Sequence, residues 1–293
     1  MLVPLAQNVV SGILVGALYG LAAVGLSLTF GVTKFLNVAH GELLMFGGYA
    51  SFWAFTLLGV DPFLTLPTTL VFLGLMGVLL YKLLFSRMVK ATEDVKVKNT
   101  MLIGFGLSLI LQNVALRLWT ANDRAITTSY SGMALTVFGV RLPVVRLANL
   151  VIALVCLVAL HLFLQRTCTG KAIRATVEDW AAATLAGIDI DKVYLESFVL
   201  GAMLAGVAGA LVGVGYSIVP TMGLEWTLIA LIVMVLGGLG NIMGTFVGGI
   251  ILGVTQSVTS YFAGGAYREV VGLLIFLLVL VFRPQGLFGT KQG

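Results

Sequence analysis

Charge is excluded from long stretches of this chain. Residues 9–30, 43–60, 63–81, 99–116, 147–164, 197–224 and 226–267 contain no Asp, Glu, Lys or Arg. About 20 such residues in a helix cross a bilayer, and a water-soluble domain has no physical reason to carry seven of these runs. The expectation is an all-α, polytopic transmembrane helix bundle. Composition agrees: 59% of the 293 residues are hydrophobic and 10% charged, where soluble domains carry about 25% charge. Residues 1–293 read as one integral-membrane domain with short loops, not as an anchor for a soluble module.

The net charge of +5 belongs to loop lysines and arginines. No stretch interleaves bases with aromatics, so nucleic acid is not an expected partner. Cys156 lies in an apolar run and Cys168 in a loop, which implies neither a disulfide nor a metal site. No Lys or Arg precedes Lys34, and no cleavage-like pattern follows a short apolar core. The N-terminus therefore reads as a first span, not a secretory signal.

The run 226–267 holds 42 residues, about 63 Å of helix at 1.5 Å per residue and too long for one crossing. Gly237, Gly238, Gly240 and Asn241 in its middle are expected to divide it. With a last short stretch at 270–282, the expected total is eight to nine spans. Placing the N-terminus outside puts 12 of the 17 Lys and Arg residues in the cytoplasm with the C-terminus. The arginines of the outer loop, residues 120–146, run against that rule. Within this loop, residues 134–143 alternate and are expected to form a small hairpin. Glycine and alanine recur every fourth residue at Gly12–Gly16–Gly20, at Gly201–Ala205–Gly209–Gly213 and at Gly240–Gly244–Gly248. That spacing lets helix backbones approach closely. The glycine-rich starts of the two halves hint at an internal repeat of the transporter kind.

Chemistry is narrowed by what is missing. No acidic or basic residue falls at the centre of an expected span; Glu42, Glu196, Glu225 and Glu269 lie near helix starts, and His161 near the end of its run. No GxxxxGK[ST] loop is present. Uphill transport would then draw its energy from another subunit, and neither a catalytic residue nor a metal site is expected.

Two polar segments stand out. In Asn37-Val38-Ala39-His40-Gly41-Glu42, Asn37 is expected to cap the next helix and Glu42 to suit its first turn. Gly41 permits close backbone approach, and a sharper reading makes this a break in the bundle that positions His40 and Glu42 for gating or subunit contact. In the inner loop, residues 166–194, Ile173, Val177, Trp180 and Thr184 share one helical face, Arg174 and Glu178 can pair, and Gly187 ends the helix. This amphipathic helix either lies on the membrane or docks into a groove on a partner.

These two segments, the glycine string Gly237-Gly238-Leu239-Gly240-Asn241-Ile242-Met243-Gly244-Thr245-Phe246-Val247-Gly248-Gly249 and the tail Arg283-Pro284-Gln285-Gly286-Leu287-Phe288-Gly289 resemble one family over essentially the whole chain. It is the inner-membrane permease subunits of bacterial branched-chain amino acid ABC importers, of the shorter of their two permease types. The resemblance implies a multi-pass protein of the bacterial inner (cytoplasmic) membrane. Its partners would be a second, longer permease in a heterodimer, two cytoplasmic ATPase subunits that bind the ATP, and a periplasmic protein delivering leucine, isoleucine or valine. The chain itself would bind no cofactor. The inner loop is similar to the segment that couples to the ATPase, which implies contact roles for Arg174, Glu178, Asp179, Trp180, Ala182, Ala183 and Gly187. On chemistry alone, Asn37, Asn113, Asn241, Gln256 and Ser257 are further translocation candidates. Permeases for urea or short-chain amides look similar, and a self-contained channel or ion-coupled carrier is the rival of a different class.

Overall fold

The computed structural model describes residues 2–89, 92–283 and 285–289. Lys90, Pro284 and Lys291, which figure in the charge pattern and tail motif, lie outside them. In chain order the described elements are α1 (Leu2–Thr33), α2 (His40–Leu58), α3 (Leu66–Leu80), α4 (Glu93–Trp119), β1 (Ala134–Val137), β2 (Val140–Pro143), α5 (Val144–Arg166), α6 (Cys168–Glu178), α7 (Trp180–Leu185), α8 (Ile190–Gly215), α9 (Met222–Gly237), α10 (Ile242–Ala263) and α11 (Arg268–Phe282).

Seven helical stretches among the described residues are long and apolar enough to cross a membrane. They are α1, α3 with the tight turns that continue it to Met88, α4, α5, α8, α10, and α11 with the turn before it. The chain is a multi-pass membrane protein. Eight to nine spans were expected; α2 and α9 are the apolar helices that fall outside these seven. Helix α2 opens with His40, Gly41 and Glu42, and α9 is only 16 residues long. Both begin inside the bundle, after non-helical segments.

Helices α1 and α8 form the centre. The stripe Gly12–Gly16–Gly20 lies on the backbone of α10: a Cβ on any of the three would come within 2.6–2.9 Å of Val254, Gly249 or Phe246. On α8, Gly201 meets Gly25 and Thr29 of α1, and Gly209 meets Leu44 of α2. The first two expected small-residue faces are therefore contact seams, where backbone approach replaces side-chain interdigitation; the third is not one helix face, because Gly240 lies before α10 with φ +81° and meets Gly31, while Gly244 and Gly248 meet Gly237. The glycine break also falls where expected, with α9 ending at Gly237 and α10 starting at Ile242. Asn241 caps α10 by accepting from the Gly244 N–H at 2.9 Å.

The two halves repeat a device. Helix α1 ends at Thr33 and α2 starts at His40; α8 ends at Gly215 and α9 starts at Met222. Each pair is joined by six non-helical residues, 34–39 and 216–221. Gly31-Val32 precedes Gly41 by the same interval that separates Gly213-Val214 from Gly223. The two segments enter from opposite ends of the bundle. Residues 34–35 lie at the end carrying α6 and α7, where Phe35 stacks with Phe85 and meets Tyr194 edge-on. Ile218 lies at the other end, bridged to Arg124 of the loop after α4. The two devices therefore run through the bundle in opposite directions.

At that second end, residues 134–143 form the expected antiparallel hairpin, with Val137 opposite Val140. Phe138 and Gly139 turn it with positive φ. It is tied to α1 through Gln7, whose side chain accepts from Arg141 N at 2.7 Å and donates to Arg141 O at 2.8 Å.

Candidate functional site

The helix starts that follow the two non-helical segments meet in mid-bundle. The first segment climbs one face of α4. Leu36 N–H donates to Thr100 Oγ1 at 3.1 Å, Val38 lies against Gly104, and Ser108 Oγ donates to Glu42 Oε1 at 2.9 Å. Residues 100, 104 and 108 follow one another at helical spacing, so α4 supplies a polar and glycine rail for backbone that has left its own helix. Non-helical backbone at membrane depth is tolerated only where protein or a cavity covers it, and Phe35, Asn37, Ala39 and His40 are at most 3% exposed.

Asn37 does not cap α2, as the sequence suggested. Its Oδ1 accepts from Ala39 N at 3.1 Å, bracing the turn, and Ala39 is the residue that precedes the helix. His40 is held by Nε2 against Ala22 O at 2.9 Å. Ala22 lies 11 residues before the end of α1, about 16 Å along a helix axis. Gly41 N–H donates to Thr227 Oγ1 of α9 at 2.8 Å, and the same hydroxyl lies 3.0 Å from Val38 O and from Gly223 O. Gly41 and Gly223 touch backbone to backbone, and a Cβ on Gly223 would fall on the Glu42 carboxyl group. Two helix N-termini thus converge there, and partial positive charge at both suits the carboxylate.

Glu42 corrects an expectation. Its carboxyl was read as lying near a helix start and so away from the middle of a span. It is at a helix start, but that start is buried: Glu42 is 1% exposed and bonded to Ser108, midway along α4. Its Oε2 has no partner among the described residues. A buried carboxyl with one oxygen unpaired is costly, so it is the strongest polar feature of the interior.

The other candidates scatter. Asn113 sits on an exposed face of α4 and donates to Leu109 O at 2.7 Å. Asn241 joins the glycine break to the tail, donating Nδ2 to Phe288 O at 2.8 Å, while Leu287 N–H donates to Leu236 O at 2.9 Å and Gly286 lies against Gly238. The glycine string and the tail motif therefore form one local unit. Ser257 donates to Asn8 O at 2.7 Å. Gln256 is buried and accepts from Arg268 Nε at 3.2 Å.

The inner loop folds as two short helices, not one. Asp179 is extended (φ −152°, ψ 103°) and caps α7, its Oδ1 accepting from Ala181 N at 2.8 Å and Ala182 N at 3.0 Å. The face expected from Ile173 through Val177 and Trp180 to Thr184 is broken there. Gly170, Ile173 and Thr176 are the buried positions of α6, while Val177 and Trp180 are exposed. Among the described residues Arg174 makes no ion pair with Glu178; its Nε donates to Leu164 O at 3.0 Å. Gly187 does end the helix, with φ +84°. Its N–H bonds Thr184 O and that of Ile188 bonds Ala183 O, each at 3.0 Å. Ala183 is buried and Ala182 exposed. Trp180 and Leu185 project outward at 64% and 91% exposure.

Sequence reasoning missed Ser108, Gly223 and Thr227, which complete the crossing point. The matched spacing of Gly31–Gly41 and Gly213–Gly223 was the signal available. It also missed Arg268 and Tyr19: at the hairpin end Arg268 donates both to Gln256 and to the Tyr19 hydroxyl.

The sequence matches the family described as branched-chain amino acid transport system / permease component over residues 8–281. The chain belongs to this family. It is 30% identical over 299 residues to the high-affinity branched-chain amino acid transport system permease protein LivH of Salmonella typhimurium, covering 98% of this chain and 96% of that one. BraD of Pseudomonas aeruginosa, named likewise as a permease of that system, is 31% identical over 295 residues with the same coverage. A ribose import permease of Haemophilus influenzae is 28% identical over 58% of the chain. The solved structure of PsaBC from Streptococcus pneumoniae in complex with Fab superposes with a TM-score of 0.50 over 94% of this chain and 91% of that one. At 14% identity it is a likeness of fold alone.

Proposed function

We propose that this chain is one permease subunit of an ATP-driven importer that carries leucine, isoleucine or valine into the cell. It would pair with a second permease, receive substrate from a periplasmic binding protein, and be driven by two cytoplasmic ATPase subunits that bind the ATP. The observation that carries this reading is full-length membership in a family of branched-chain amino acid permeases. The exposed Trp180 and Leu185 of the inner loop support the coupling role: an apolar projection between two spans is suited to a groove on a cytoplasmic partner.

In this reading α6 and α7 face the cytoplasm, the hairpin faces the periplasm, the N-terminus is outside, and the membrane is the bacterial inner membrane. Each non-helical segment with its following helix counts as one crossing, which gives nine. The seam at Gly41, Glu42, Gly223 and Thr227 is the gate, where two backbones packed without side chains can part. His40 holds one side of it to α1.

A deletion strain complemented with the intact transporter would be tested for uptake of labelled leucine and labelled urea. Leucine uptake with little urea uptake is expected, and the reverse would move the assignment to urea or amides. Mild-detergent purification should bring down two ATPases and a second permease. Solute pumping in liposomes by this chain alone, on a proton or sodium gradient, would overturn the ATP-driven assignment.

A further inference from the structure

A second polar feature lies outside the crossing point. At the hairpin end a cavity of about 400 Å³ opens between α1, the segment after α8, and helices α9, α10 and α11. Ligand pockets span about 300–1,000 Å³. Its walls are of two kinds. Val15, Ile229, Leu273 and Trp226 are apolar, while Arg268, Glu225 and Glu269 bring a guanidinium and two carboxyl groups. Arg268 is held in place by two buried groups: its Nε donates to Gln256 Oε1 at 3.2 Å, and its Nη2 donates to the hydroxyl of Tyr19. Tyr19 is 4% and Gln256 5% exposed. A guanidinium has five N–H donors, so these bonds fix its plane and leave Nη1 without a partner among the described residues. Glu225, from the first turn of α9, likewise has no side-chain bond or ion pair among them.

A pre-oriented cation, a free carboxylate on another element and a greasy wall between them match a molecule with an anionic end, a cationic end and an aliphatic branch. Resting on the proposed function, we infer that this cavity is a binding site for the free amino acid within the permease. Arg268 receives the α-carboxylate, Glu225 receives the α-ammonium, and Val15, Ile229 and Leu273 enclose the side chain. Tyr19 and Gln256 are positioning residues, acting through the guanidinium.

The test uses the whole transporter in nanodiscs of phosphatidylglycerol, without the binding protein, and measures equilibrium binding of labelled leucine. 4-Methyl-2-oxopentanoate, which lacks the ammonium, and isopentylamine, which lacks the carboxylate, serve as competitors. Wild type should bind leucine and prefer it to both. Arg268→Gln and Glu225→Gln should each weaken leucine binding about tenfold or more, the scale of one charge-assisted hydrogen bond. Arg268→Gln should also erase the preference over isopentylamine, and Glu225→Gln the preference over the oxo acid. Because either variant could fail to assemble, Leu273→Trp provides an independent check: it fills the apolar wall and should depress leucine binding more than alanine binding. Unchanged leucine affinity in assembled Arg268→Gln and Glu225→Gln, or in Leu273→Trp, overturns the site. So does retention of phosphatidylethanolamine in its place, with no leucine bound, since that headgroup shares the zwitterionic chemistry. Uptake distinguishes the two levels. A wild-type transporter that imports none of the three amino acids sinks the functional reading itself, whereas normal uptake with these binding results sinks only the site.

Discussion

Gly41 has no room for a side chain. A Cβ there would meet Gly223 O and Thr227 Oγ1, and two of the atoms in its way are backbone. Gly41→Ala is therefore an overpacking change, expected to cost about 1–3 kcal/mol and to lower the thermal unfolding midpoint in detergent. An unaltered midpoint would mean that the seam gives way freely. Ser108→Ala removes the hydrogen bond to Glu42 and leaves both carboxyl oxygens buried without a partner. Loss of about 1–3 kcal/mol is expected, and Glu42→Gln in the same background should recover part of it. The outer loop offers a pH test. Burial, and then the hydrogen bond to the Asp61 carboxylate at 2.6 Å, pushes the Tyr130 hydroxyl up to about 12 from 10.0. The folded state holds that proton more tightly than the unfolded chain, so the contribution is whole below about pH 10 and is lost toward about pH 12. Denaturation curves across that interval should fall more steeply for wild type than for Tyr130→Phe; parallel curves would show that the contact adds nothing.

At the scale of elements, the inner loop is built to be stiff. Asp179 caps α7 with two hydrogen bonds, and Gly187 closes it in a left-handed conformation. Trp180→Glu should abolish co-purification of the ATPases while leaving membrane insertion intact, and normal co-purification would remove the coupling role. Asp179→Ala should loosen α7, costing about 1 kcal/mol as for other N-caps, and weaken the same association less severely. Much of this was legible in the residues: the glycine stop at Gly187, the break at Gly237–Asn241, and the hairpin over 134–143 follow from local turn and cap chemistry. The division of the loop at Asp179 was not, because helix formers on both sides mask an Asp that serves as a cap. Nor was the role of Asn37, whose side chain favours its own turn over the helix that follows.

At the scale of the molecule, the bundle class was readable from charge exclusion alone, since lipid tolerates few other patterns. The depth of Glu42 was not. A helix start normally marks a membrane surface, and only the climb of residues 34–39 along α4 carries this one inward. The arginines at the hairpin end have structural partners. Arg124 bridges to Ile218 and lies over Phe52 and Trp53, Arg146 lies over Tyr216, and Arg268 is anchored by Tyr19 and Gln256. They serve contacts at that end of the fold.

Helix α2 has a consequence for how the protein is made. It packs mainly on α8 and α9, both synthesised long after it, and it is not apolar enough to count among the seven self-sufficient crossings. A nascent chain halted before residue 190 would hold this helix without the α8 and α9 backbones that cover Gly41, Gly47 and Gly48. The first half therefore gains its final packing only once the second half has been made.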